Sequence, residues 1–103
     1  MRAIDLAIYA DSLAAEASAL AARLERARGR LRQAAIELHA RQELEPSIVA
    51  RLELRGLFAT VDVDSTRAEI EELAGSLSAL QTLQTWVERE LFAAREEGFA
   101  MSE

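Results

Sequence analysis

The residues whose types and spacing could do chemistry begin with Asp62-Val63-Asp64-Ser65-Thr66, which come after the apolar stretch from Phe58 to Val61. Two carboxylates two positions apart at the end of a strand suit phosphoryl transfer. His39 is the only histidine in the chain, and an imidazole on a helix can accept a phosphoryl group. His39 and Glu43 lie one helical turn apart and could share a metal ion. Glu69 and Glu72 form a Glu-x-x-Glu pair of the kind that holds divalent cations. There is no Cys, which excludes disulfides, thiolate-bound zinc and thiol catalysis.

Each constellation is incomplete. The Asp62–Thr66 segment resembles the nucleophile loop of haloacid-dehalogenase-type phosphatases, a resemblance that implies a parallel sheet, Mg²⁺ and further acidic and basic residues downstream. The residues after Thr66 read as one helix, so no sheet can form. Asp64, Ser65 and Thr66 read instead as a helix start, where acids meet the positive end of the dipole. As a calcium loop the segment has Arg67 where glycine is needed and Leu73 where glutamate is needed. Glu37-Leu38-His39, within residues 26–97, resembles the phosphoacceptor hairpin of bacterial sensor histidine kinases. That resemblance implies His39 as phosphoacceptor. Ala40 stands where that family usually has an acid, and Pro46 is displaced from its spacing. The competing reading is a solvated histidine near a helix C-terminus. Glu69 and Glu72 are similar to one carboxylate pair of all-helical nucleotide pyrophosphatases, but no second pair faces them. Glu37 precedes His39 by two residues, unlike the Glu-x-x-His pairs of di-iron bundles. In length and helicity the chain is similar to small secreted hairpin effectors of actinobacteria. Their Trp-x-Gly turn is absent, and Trp86 falls inside a helical run. The expectation is a non-enzymatic protein with no catalytic, cofactor or metal residues.

The elements that would position these residues are helices. Half of the residues are hydrophobic, mostly Ala and Leu, and there are only four Gly and one Pro. Ala, Leu, Arg, Glu and Gln are the better helix formers. In heptads, one position carries Ala3, Ala10, Ala17, Leu24, Leu31 and Leu38, and another carries Leu6, Leu13, Leu20, Ala27, Ala34 and Arg41. Such a seam lets Ala positions approach a neighbouring helix while Leu fills the gaps. Ala7, Ala14 and Ala21 widen the stripe, and Ile8, Ala15, Ala22 and Ile36 lie on another face. Pro46 ends this helix and can open a short one, with Ile48, Val49 and Leu52 inward and Gly56 as its stop. Leu57 to Val63 reads as an extended connector packing Phe58 against the helix ends. Thr66-Arg67-Ala68-Glu69 reads as a capping box. The seam of the last helix is Ile70, Leu73, Leu77, Leu80, Gln84, Val87, Leu91 and Ala94, with Leu83, Trp86 and Phe92 beyond it.

The expected fold is therefore all-α: a long antiparallel helical hairpin with a short helix in its connector. The helices span about residues 3–44, 47–55 and 67–97, with a connector at 56–66 and a tail at 98–103, in a single helical domain. The expected interface residues are Leu6, Leu13, Leu20, Leu24, Leu31, Leu38, Ile70, Leu73, Leu77, Leu80, Gln84, Trp86, Val87 and Leu91. Because a hairpin covers only one side of each helix, the expected partner is a second copy in a four-helix bundle, or another helical protein. The net charge of −6 argues against nucleic acid. No apolar run approaches the ~20 residues of a membrane span, and Asp5 and Asp11 interrupt any secretory signal, so a cytoplasmic protein is expected. All twelve basic residues are Arg, read as GC-rich bacterial coding. Arg23, Arg26, Arg28, Arg30 and Arg32 form the one basic patch. An adaptor or small chaperone is the first functional expectation, with phosphotransfer through His39 and a secreted hairpin effector as the alternatives.

Overall fold

The computed structural model describes residues 1–58 and 61–101, and side chains as far as Gly98. Three helices are present: α1 (Ala3–Glu43), α2 (Pro46–Glu53) and α3 (Val63–Met101). There is no strand among the described residues. The long helices α1 and α3 pack against each other with α2 between them, as a helical hairpin. The chain divides into two compact units. One comprises Met1–Ala22 and Leu73–Glu103; the other is Arg23–Glu72.

In the first unit, Leu6, Leu13 and Val87 form the buried cluster, with Ala10, Leu80, Leu83, Leu91 and Ala94 packed around them. Val87 is fully buried. The 3-4 spacing of the apolar positions on both helices produces this arrangement, since residues so spaced share one face. Each buried Leu or Val contributes about 1.5–3 kcal/mol relative to an exposed one. The seam of α3 lies where its periodicity placed it. Leu73 is buried, and Leu77, Leu80, Gln84, Leu91 and Ala94 are half-buried.

In the second unit the buried residues are Leu24, Ala27, Val49 and Thr66. Pro46 sits in the first turn of α2, and the Ile48 and Val49 amides donate to the Glu45 carbonyl at 3.0 and 3.1 Å. Val49 faces inward, whereas Ile48 is 46% exposed rather than buried. The end of α2 is a Schellman turn: the Leu57 amide donates to the Leu52 carbonyl at 3.2 Å, and the Gly56 amide to Glu53 at 3.0 Å. Gly56 has φ 83°, a conformation that costs any residue with a Cβ. Phe58 adopts φ 59° as well, which for an aromatic residue is strained.

Three expectations need correcting here. The capping box at Thr66 does not form, because α3 starts earlier. The Asp62 carboxylate accepts from the Ser65 amide at 3.0 Å, and the Thr66 amide already donates to the Asp62 carbonyl at 2.9 Å. Aspartate is among the best N-caps, so Asp62 opens the helix and Thr66 is buried within its first turn. The expected stop at Gly98 is overrun, since α3 continues to Met101. One helical glycine costs only about 1 kcal/mol, too little to break a helix by itself. Finally, Leu38 is 59% exposed, while Glu37 and Ala40 are half-buried. Leu38 lines an open hollow with Ala34, Arg41, Phe58 and Val61, so the seam position is left uncovered at this end of α1. The extended reading of the connector includes Ala59 and Thr60, and the tail includes Ser102 and Glu103, which lie outside the described residues.

The accessible surface is 7900 Å² for an 11.4 kDa chain.

Two substitutions test this description. An added Cβ meets nothing within 4 Å at either Gly56 or Gly75, so the backbone alone decides the sign. Gly56→Ala should cost about 1 kcal/mol, whereas Gly75→Ala, inside α3, should stabilise by about 1 kcal/mol. Urea melts read both. Leu24→Asp, at a site 6% exposed, should unfold the protein or dissociate it; an unchanged thermal melt would show that the seam is misplaced.

Candidate functional site

The Asp62–Thr66 segment is the N-terminus of α3. Asp62 is its cap and Asp64 lies in its first turn. With a helix in place of a strand, the two carboxylates serve local structure. His39 is exposed on α1, and Glu43 is exposed beyond it. Glu69 accepts from Arg30 Nη2 at 2.8 Å, which ties this half of the Glu-x-x-Glu pair to α1. Among the described residues, no three His, Cys, Asp or Glu side chains are grouped so as to hold a metal.

The basic patch is partly used within the second unit. Besides Arg30 with Glu69, Arg32 Nη2 bonds Glu25 Oε1 at 2.7 Å. The Arg32 hydrogen bond and charge, aided by Arg28, hold the Glu25 carboxyl below the usual carboxylate range. Stability from this pair is present above the ordinary carboxylate pKa and fades as pH falls through the lowered one. Both side chains are exposed, so the contribution is small. Arg23, Arg26 and Arg28 form none of the described ion pairs.

The most organised polar centre was not anticipated from the sequence. Arg41 Nη2 donates to the Phe58 carbonyl at 2.8 Å, and its Nη1 pairs with Glu53 Oε1 at 2.8 Å. The guanidinium also stands 5.3 Å from the centroid of the Phe58 ring. One side chain thus joins α1, the end of α2 and the strained residue of the connector. An open hollow of about 320 Å³ lies beside it, lined by Ala34, Leu38, Phe58 and Val61 among others. The Phe58-to-helix contact expected from sequence is present in this form. The signal was available in the shape of a lone arginine at a seam position, where an apolar residue belongs.

Of the expected interface residues, Leu6, Leu13, Leu24, Leu73 and Val87 are buried within the chain. Leu20, Leu31, Ile70, Leu77, Leu80, Gln84 and Leu91 are half-buried. Leu38 and Trp86 remain open, at 59% and 45%. A larger set of open apolar residues lies off the seams: Ile4 at 59%, Ile8 at 64%, Ile36 at 70% and Phe92 at 68%. No helix among the described residues is long and apolar enough to cross a membrane.

The fold thus defines a helical hairpin whose organised features are packing surfaces and ion pairs. Compared with protein-family models, with curated proteins and with solved structures, the chain matches none.

Replacing Arg41 by Ala should loosen the connector more than it destabilises the whole. Amide exchange at Gly56 and Leu57 should speed up, with a global loss of at most about 1 kcal/mol. Arg41→Lys should not restore protection, because one ammonium cannot reproduce the guanidinium fork. Unchanged exchange in Arg41→Ala would mean that the Schellman turn holds the connector unaided.

Proposed function

We propose that this protein is a non-enzymatic interaction or assembly module, an adaptor or small chaperone, that docks its open apolar surface on helices of a second polypeptide. The first candidate for that polypeptide is another copy of the same chain. The observation that carries the reading is the balance of apolar side chains. Among the described residues seven hydrophobic side chains are buried, whereas thirteen large ones are exposed. A monomer that worked alone would expose such residues singly. Here Ile4 and Ile8 lie one turn apart near the start of α1, and Ile36 and Leu38 lie near its end, and grouped exposed apolar residues mark interaction sites.

Light scattering on a size-exclusion column, across a dilution series, tests it. A species of twice 11.4 kDa that persists on dilution is the expected result. A monomer that binds a hydrophobic dye would keep the module and replace the second copy with a different helical partner. A dispersed monomer that binds no dye would overturn the proposal.

A further inference from the structure

The series Ile8, Ala15, Ala22, Gly29 and Ile36 recurs every seventh residue along α1, away from the seam. On a helix of a hairpin that meets only water, the face opposite the core carries charged and polar residues. This series carries none until its next member, Glu43, at the end of the helix. Ile8 and Ile36 are 64% and 70% exposed, and Ala15 and Ala22 are exposed. Ile4, 59% exposed, flanks the N-terminal end of the series. A Cβ on Gly29 would meet only Arg32 Nη2, at 3.9 Å. Nothing within the chain therefore requires glycine there, although it costs the helix about 1 kcal/mol relative to alanine. Close approach of another backbone would require it.

The order of side chains and the charges beside them say what approaches. From either end, the series runs from isoleucine through three small residues to isoleucine, centred on Ala22. Residues 5–16 carry Asp5, Asp11 and Glu16 and no base, while residues 26–32 carry four arginines and no acid. Of these, Asp11, Glu16, Arg26 and Arg28 form none of the described ion pairs. Two copies of α1 placed antiparallel about Ala22 set Ile8 against Ile36 and Ala15 against Gly29. Glu16 of each copy then lies opposite Arg28 of the other, and Asp11 opposite Gln33, next to Arg32. A parallel pair would set like charges together, which interfaces avoid.

We propose that α1 pairs with α1 of a second copy, antiparallel, with the two-fold axis at Ala22. This rests on the reading that the chain associates through its open apolar surface, and it specifies both the face and the direction.

Because the chain has no cysteine, single substitutions report the geometry. Ala22→Cys, Ile8→Cys and Ile36→Cys are each oxidised mildly and run on non-reducing gels. Disulfides need Cα atoms within about 7 Å, a condition that residues beside a two-fold axis can meet. Copies of residue 8 would stand ~42 Å apart, given the helical rise per residue. Ala22→Cys should cross-link most of the protein to a dimer. Ile8→Cys and Ile36→Cys should each stay uncross-linked alone and cross-link when mixed. An Ala22→Cys protein that stays uncross-linked, or an Ile8→Cys protein that links to itself, would overturn the proposal. Light scattering of the reduced variants separates the two levels. A dimer without the Ala22 cross-link rejects this face but keeps self-association, whereas a monomer rejects self-association as well.

Discussion

The burial of one narrow apolar seam between α1 and α3 is the constraint on which the other features depend. Two long helices can meet along a single line, and the residues on that line are Leu and Ala with few aromatics. Such a seam holds the pair through repeated small contributions, the best of them at Leu6, Leu13 and Val87. It also leaves most of each helix surface outside. Whatever those outer faces carry must be tolerated by water or covered by something else. The isoleucines at positions 4, 8 and 36 are therefore informative in a way that a polar surface would not be.

The connector shows how the ends of the seam are managed. Pro46 and Gly56 are local devices, one opening α2 and the other closing it in a left-handed turn. They leave Phe58 with φ 59°, a conformation that local sequence disfavours. Arg41 meets that strain with a carbonyl hydrogen bond, a carboxylate and the aromatic ring of Phe58. A seam position given to arginine thus trades core burial for a joint between three segments.

The charges show a comparable division. The acid pairs that suggested chemistry are occupied by structure: Asp62 caps α3, and Glu69 holds Arg30. The arginines of α1 are split between pairs inside the chain and a set directed to solvent. That second set, with the acidic first half of α1, gives the helix a direction.

By itself the sequence determined the helical class, the two seams and the places where the chain turns. Heptad spacing, Pro46 and Gly56 act over a few residues, so their effect can be read without knowing what lies across the fold. The positions on α3 from Leu73 to Ala94 were legible for this reason. Only the tertiary structure decided matters that depend on a neighbour. Asp62 prevailed over Thr66 as the cap because the chain could enter the helix four residues sooner. Leu38 stayed open because the hollow it lines with Phe58, Val61 and Val63 is not filled by another side chain. Arg41 became a joint because Glu53 and Phe58, distant in sequence, arrive on either side of it. Periodicity records which face of a helix is apolar; packing alone decides which apolar face finds a partner within the chain and which is left open.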